Sequence, residues 1–290
     1  MMILNILIID IIIQLIGLRW SIINKSEKYY DLAGTSAFVL CTLSTIWFGH
    51  AYCSTRSLVA ALMIIVWASR LGYFLYSRIT RFTDNPGVDK RFEGVRDKPK
   101  ILSFYWFMQT LWVFLVIVPL LLLNKTQYQS YQQFGQQQQQ QITLDNINDH
   151  FNNHNLFNLV DIGLMVLWLF GFSIECIADL QKRKFHLNPN NHGKWIASGL
   201  WNYSRHPNYV GEIIVHWSIY AFCVRGYPSI DGSLTWSLVA LVAPLFVTFL
   251  MTKISTPMLE KLADNRWKGN THYDRYKQTT PKLFPFPTIN

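Results

Sequence analysis

Charge is scarce in this chain: only 15% of its 290 residues are Asp, Glu, Lys or Arg, whereas half are hydrophobic. Its mean hydropathy is positive, at +0.14, which is rare for a water-soluble domain of this length. The sequence also lacks a Walker loop and a G-x-G-x-x-G motif after a strand, so a soluble nucleotide-binding fold is unsupported. The composition therefore predicts an all-α protein embedded in a lipid bilayer.

Cysteine is also sparse and unpaired. The four cysteines are Cys41, Cys53, Cys176 and Cys223. Because they lie far apart and mostly in apolar segments, neither a disulfide framework nor a zinc site is indicated. His150 and His154 have helical spacing but no companion Glu or Cys, so we expect no metal. Positive charge scattered over loops beside membrane helices also argues against a nucleic-acid partner.

Long apolar segments recur along the chain. A bilayer core about 30 Å thick is crossed by about 20 mostly apolar helical residues, and seven segments approach that length. They are residues 1–23, 32–49, 57–76, 101–123, 157–178, 209–224 and 234–252. The first segment lacks the basic start and the small-residue cleavage site of a signal peptide, and Asp10 interrupts it, so we interpret it as a membrane helix. The sequence thus predicts a bundle of about seven transmembrane helices.

The positive charges predict the orientation of this bundle, because Lys and Arg accumulate in cytosolic loops. If the loop after the third helix is cytosolic, four segments lie on that side. Residues 24–31, 77–100, 179–208 and 253–290 then hold 2, 7, 5 and 7 of the 26 Lys and Arg residues. We therefore expect a lumenal N-terminus and a cytosolic C-terminus. The compartment that we expect is the endoplasmic reticulum.

A Gln- and Asn-rich stretch separates the fourth and fifth apolar segments, with six consecutive glutamines at residues 136–141. Such a stretch cannot bury enough apolar surface to order itself. The sequence therefore predicts N-terminal transmembrane helices over residues 1–124, a disordered loop over residues 125–156 and a C-terminal domain over residues 157–290.

Ionisable residues near a bilayer are costly and need a reason, and here they concentrate in three places of the C-terminal half. The first place is the end of the fifth apolar segment, ECIADLQKRKF, where Glu175 and Asp179 share a helix face. The third is the basic tail from Glu260 onward, which ends in prolines. The first place can alternatively be interpreted as a cytosolic flank whose Lys and Arg side chains reach the lipid headgroups. The third place can alternatively be interpreted as a solvated tail.

The second place, GLWNYSRHPNYVGE, is the densest. Pro207 favours a helix that starts just after His206. The first amides of that helix, together with Arg205, can hold a phosphate or a carboxylate. An interfacial belt of aromatic residues and Arg is the alternative interpretation. Because all three places fall on the cytosolic side, they indicate one site for an anionic ligand.

With these residues the chain resembles the DUF1295 branch of the steroid 5-alpha-reductase-like membrane proteins, a wider group that includes sterol C14 reductases and isoprenylcysteine carboxyl methyltransferases. The similar pieces are ECIADLQKRKF, GLWNYSRHPNYVGE, the tail Y-x-x-Y-K-x-x-T-P and, more weakly, RLGYFLYSRI followed by DKRFE. The resemblance implies a bundle whose C-terminal half binds NADPH from the cytosol. It also implies hydride transfer to a carbon–carbon double bond of a steroid or other lipid substrate.

By position in these pieces, the resemblance implies a cofactor site and two catalytic residues. The cofactor-binding residues would be Asp179, Lys182, Arg205, His206, Asn208, Tyr273 and Tyr276, and the catalytic residues would be Tyr209 and Glu212. Steroid 5-alpha-reductases polarise the substrate carbonyl with an acid and a tyrosine that have no match here. Tyr73 and Tyr76 are the candidates for that role.

Two alternatives to a reductase remain. The methyltransferases of the wider group follow Arg-His-Pro with paired glutamates, whereas this chain reads STPMLEKL there, with Glu260 as the single acid. That difference favours NADPH over S-adenosylmethionine as the cofactor. S-adenosylmethionine-dependent methyl transfer and a non-enzymatic, sterol-binding role are the alternatives.

Overall fold

The computed structural model describes residues 2–49, 54–81, 92, 94–137, 157–227 and 233–284. Within these ranges the regular secondary structure is helical and no strand occurs, which confirms the all-α prediction. His150, His154 and Cys53 lie outside the described residues.

Ten α-helices occur among the described residues. The N-terminal half contains α1 (Met2–Asn24), α2 (Tyr30–Phe48), α3 (Thr55–Arg81) and α4 (Pro99–Gln137). The C-terminal half contains α5 (Leu159–Leu187), α6 (Pro207–Val224), α7 (Ser233–Ala240), α8 (Val242–Phe249), α9 (Thr256–Arg266) and α10 (Thr271–Thr279). Between α5 and α6 lie two 3₁₀ turns, Pro189–Asn191 and Gly199–Asn202, and a π-helical segment, Leu250–Ser255, joins α8 to α9.

Six helical segments of the described chain are long and apolar enough to cross a membrane. They are Met2–Asn24, Tyr30–Phe48, Thr55–Thr80, Pro99–Gln129, Leu159–Leu187 and Ser233–Arg266, the last running from α7 to α9. The predicted membrane bundle is confirmed to this extent. Residues 209–224, the remaining predicted span, form most of α6, which is helical but more polar because it carries Glu212 and His216.

The polar stretch after the fourth apolar segment starts as helix. α4 continues to Gln137 and so covers the first part of the predicted loop of residues 125–156. Glutamine is compatible with a helix interior, and the helix continues through Gly135. Residues 138–156 lie outside the described part of the chain.

The chain forms two compact units, and neither is continuous in sequence. One consists of Met1–Asn158 and Ile219–Ala243, and the other of Leu159–Ser218 and Pro244–Asn290. The end of α6 and the start of the following helix therefore pack with the N-terminal helices.

Polar contacts and aromatic rings hold the first unit together. Gln14 Nε2 donates to Asp10 Oδ1 at 3.2 Å, and Gln109 Nε2 donates to Gln14 Oε1 at 2.9 Å, which links α1 to α4. Phe38 lies with its ring centroid 5.1 Å from the Trp67 ring. Because lipid tails are as apolar as buried side chains, helices in a bilayer associate through such hydrogen bonds and close packing.

In the second unit, α6 packs tightly against α5. A Cβ added to Gly211 would lie 2.6 Å from the carbonyl oxygen of Gly171, so only glycine permits this approach. α6 also runs antiparallel to the last long helix, because His206 contacts Glu260 while Trp217 Nε1 donates to Thr248 Oγ1 at 3.1 Å. The start of α6 is thereby brought beside the end of α5 and the middle of α9.

Candidate functional site

The loop between α5 and α6 is fixed to the end of α5. Gln181 Oε1 accepts a hydrogen bond from Leu200 N at 2.9 Å, and Trp201 Nε1 donates to the Ala178 carbonyl at 3.0 Å. Gly199 has a φ of 62°, and a Cβ there would lie 2.4 Å from Gln181 Nε2. This turn therefore requires glycine both for its backbone conformation and for the close side chain.

The centre of the site is a carboxylate that contacts two basic side chains. Glu260 Oε2 lies 2.9 Å from Arg205 Nη1, and Glu260 Oε1 lies 2.8 Å from His206 Nε2. The side chains of Arg205 and Glu260 are only 7% and 12% exposed. A pair with so little exposure is screened weakly by water and salt. The Arg-His-Pro block is thus joined to a residue more than fifty positions later in the chain.

The Arg205 guanidinium keeps donors available in spite of this ion pair. The Arg205–Glu260 contact is not aligned as a hydrogen bond, and Nε and Nη1 are buried without a hydrogen-bond partner among the described residues. A buried N–H group that lacks an acceptor is unfavourable. Such donors fit a ligand that carries phosphate or carboxylate oxygens.

His206 is held in place on three sides. Its backbone N–H donates to Ser204 Oγ at 3.2 Å, and its ring stacks on Tyr209 with centroids 5.5 Å apart. Burial lowers the pKa of His206 below its ordinary value of 6.5, although the neighbouring Glu260 carboxylate acts in the opposite direction. The neutral imidazole is therefore favoured at neutral pH.

The carboxylates of α5 and α6 lie deeper along the helices. Glu212 Oε1 is 3.3 Å from His216 Nε2, and these two residues are 5% and 3% exposed. Glu175 and Asp179 on α5 are buried as well. Asn208, in the first turn of α6, is half-buried.

Aromatic residues fasten the C-terminal tail beside this group. Tyr276 donates from its hydroxyl to the Trp201 carbonyl at 2.7 Å, and Tyr273 donates to Asp264 Oδ1 at 3.5 Å. Burial raises the pKa of Tyr273 to about 12 and raises the pKa of Tyr276 as well. Both hydroxyl groups donate hydrogen bonds within the protein, so a ligand would contact these tyrosines mainly through their aromatic rings.

The tail continues over the Arg-His-Pro block as a strap. Arg205 N donates to the Pro281 carbonyl at 2.9 Å. Thr280 Oγ1 donates to the Asn202 carbonyl, and Ser204 Oγ donates to the Lys282 carbonyl, both at 3.5 Å. These bonds fix the backbone on which Arg205 and His206 stand.

Most of the residues that the sequence assigns to the site belong to this one unit. Lys182 Nζ lies 4.9 Å from the Trp201 ring centroid, so it joins the same end of α5. Tyr73 and Tyr76 belong to the other unit, where Tyr73 is 65% exposed and Tyr76 stacks on Tyr29. Their assignment to the substrate carbonyl stays a prediction.

Two members of the group are absent from the sequence assignment. The sequence analysis uses Glu260 only to mark the start of the tail and as the single acid where the methyltransferases have two glutamates. It gives His216 no role. The available signal was an ionisable group within or beside an apolar segment, which holds for both residues. Among the described residues, no cluster of three or more His, Cys, Asp or Glu side chains is arranged to hold a metal ion.

Comparison with known proteins supplies a family and nothing further. A family described as a protein of unknown function, DUF1295, matches residues 18–280. No curated protein and no solved structure matches the chain.

Proposed function

The chain belongs to the DUF1295 family, and we propose that it is a membrane-bound oxidoreductase that uses NADPH to reduce a carbon–carbon double bond of a steroid or other lipid. The observation that carries this proposal is Arg205, a buried arginine whose Nε donor has no hydrogen-bond partner among the described residues. Buried donors of this kind suit the phosphates of a dinucleotide.

The residues around Arg205 divide into three tasks. Arg205 and Lys182 bind phosphate oxygens, and Asp179, His206 and Asn208 contact the remainder of the cofactor. Tyr273 and Tyr276 close the site from the tail. NADPH, when bound, supplies a hydride. Tyr209 and Glu212 on α6 are the proposed catalytic residues, since their side chains can bear the proton that accompanies it.

The proposed orientation follows from the charges and from the direction of α6. α6 has 18 residues, about 27 Å of helix, and it runs antiparallel to two candidate membrane spans. We therefore count it as the seventh crossing. Seven crossings put the C-terminus and residues 77–100 in the cytosol of an endoplasmic reticulum protein, opposite a lumenal N-terminus. Glycosylation of an acceptor placed at the C-terminus would contradict this orientation.

Cofactor titration is the direct test. Purified protein in lipid nanodiscs is titrated with NADPH and, separately, with S-adenosylmethionine, and binding is followed by calorimetry. We expect NADPH to bind and S-adenosylmethionine not to. The opposite result would indicate a methyltransferase, and binding of neither would favour a sterol-binding role without turnover.

A pair of variants tests whether the cofactor occupies this site. Arg205→Ala removes charge-assisted hydrogen bonds worth about 1.5–3 kcal/mol, so the affinity for NADPH should fall roughly 10- to 150-fold. Lys100→Ala removes an exposed cytosolic charge outside the site and should change affinity little, by about 0–1 kcal/mol. Arg205→Lys keeps the positive charge but removes the planar set of N–H donors, so this variant should also bind NADPH more weakly than the wild type does. Equal effects at positions 205 and 100 would indicate diffuse electrostatics.

A further inference from the structure

A line of titratable side chains follows one face of α6. His206 precedes the helix, and Tyr209, Glu212 and His216 follow at intervals of three, three and four residues. Side chains three and four residues apart are neighbours on a helix surface. The line extends over ten residues, about 15 Å along the axis, from the end of the bundle toward its interior.

Close polar contacts lie at the two ends of this line, and a ring contact lies between them. Glu260 Oε1 lies 2.8 Å from His206 Nε2, and the His206 ring stacks on the Tyr209 ring at an interplanar angle of 11°. At the inner end, Glu212 Oε1 lies 3.3 Å from His216 Nε2. His206, Glu212 and His216 are 7%, 5% and 3% exposed, whereas Tyr209 is half-buried, so water reaches the line mainly at Tyr209.

Every member of the line can both accept and donate a proton. A neutral imidazole carries one N–H and one bare nitrogen, and a phenol and a carboxyl group also combine donor and acceptor atoms. Burial, which lowers the pKa of His206, keeps its imidazole able to accept a proton at neutral pH. The neighbouring charged groups are Arg205, Lys182 and Glu175, with Lys277 acting on Glu260.

We propose that His206, Tyr209, Glu212 and His216 form a proton relay from the outer end at Glu260 to the Glu212–His216 pair. This inference rests on the proposed function, and it names the source of the second hydrogen in that reaction. A bound NADPH would supply the hydride to one carbon of the double bond and would itself be oxidised. The other carbon takes a proton from the Glu212–His216 pair, which regains a proton from water through the relay. Ionisable residues inside membrane helices serve in this way in other proteins.

Infrared spectroscopy tests the relay without any cofactor or substrate. Wild-type protein in nanodiscs is stepped in pH, and the carboxyl band that Glu212→Gln removes is assigned to Glu212. His216→Gln should shift the same band, because that carboxyl loses its 3.3 Å contact. If Glu212→Gln does not fold, the shift caused by His216→Gln assigns the carboxyl band to Glu212 instead.

The decisive measurement is the rate at which the assigned band exchanges its proton for deuterium. His206→Gln should slow the exchange at least about tenfold, since a positioned acid or base accelerates proton transfer by roughly 10²–10⁴. His192→Gln replaces an exposed histidine and should leave the rate unchanged. Unaltered exchange in His206→Gln, or the absence of any Glu212 band across the pH range in which the protein is folded, would overturn the relay. Failure to bind NADPH is a separate result, which contradicts the proposed function and leaves these spectra interpretable.

Discussion

Glu260→Gln isolates the charge of the central carboxylate, because the amide keeps its shape and one oxygen acceptor. The substitution leaves Arg205 charged and 7% exposed without the ion pair that now balances it. Breaking one side of a buried ion pair costs about 3–5 kcal/mol, because the remaining charge is buried without compensation. Since 1 kcal/mol shifts the unfolding midpoint of a chain of this size by roughly 2–4 °C, we expect a decrease of about 6–20 °C.

The same helix provides a matched control. Asp264 on α9 pairs with Lys277, but these side chains are 46% and 29% exposed. An exposed pair contributes about 0–1 kcal/mol, so Asp264→Asn should lower the midpoint by no more than about 4 °C. Thermal unfolding in nanodiscs, followed by a thiol-reactive fluorophore that detects buried cysteines, measures both variants under one condition.

A double variant separates the loss of a pair from the loss of a residue. Replacing both members of a buried ion pair by neutral groups is often close to neutral. Arg205→Met combined with Glu260→Gln should therefore be more stable than Glu260→Gln alone. Strict additivity of the two single losses, or equal shifts for Glu260→Gln and Asp264→Asn, would refute the view that a buried charge pair stabilises this end of the bundle.

Two further predictions concern packing and pH. Gly211→Ala should lower the unfolding midpoint by an amount equivalent to about 1–3 kcal/mol, because the added Cβ would overlap the Gly171 backbone. A Cβ at Gly163 would meet no atom within 4 Å, so Gly163→Ala should be neutral or stabilising. Equal midpoints for the two variants would refute the close approach of α5 and α6. Because the folded-state pKa of His206 lies below 6.5, its contribution to stability is complete above that pH and is lost as the pH falls toward the lowered pKa. The midpoint should therefore drop on acidification less in His206→Gln than in wild type or in His192→Gln.

The membrane helices could be read from the sequence because length and hydropathy act locally. Six spans need only an apolar run of sufficient length. α6 tests the limit of that rule. Its apolar residues alternate with Glu212 and His216, whose cost is offset by contacts with each other, and a hydropathy window does not register such compensation.

The geometry of the site could be predicted only in part, because its central contact joins distant positions. The sequence shows that the Arg-His-Pro block and the tail are both polar, but no pattern in it predicts that Glu260 contacts Arg205 and His206. The hydrogen-bond partner of Tyr276 could not be predicted from the sequence either. Its position beside a cofactor motif suggested ligand binding, whereas its hydroxyl donates to the Trp201 carbonyl.

The contact with Glu260 also changes what kind of recognition Arg205 provides. With His206 neutral, the carboxylate balances the guanidinium, so these three residues together carry little net charge. Lys277, which acts on Glu260, is itself paired with Asp264. The Arg205–Glu260 pair therefore adds little net charge to the site, and among the described residues the Arg205 Nε donor has no hydrogen-bond partner. Directed donors favour planar or tetrahedral oxygen groups over anions in general, which is why binding of NADPH here should depend more on the geometry of Arg205 than on the basic character of the surrounding loops.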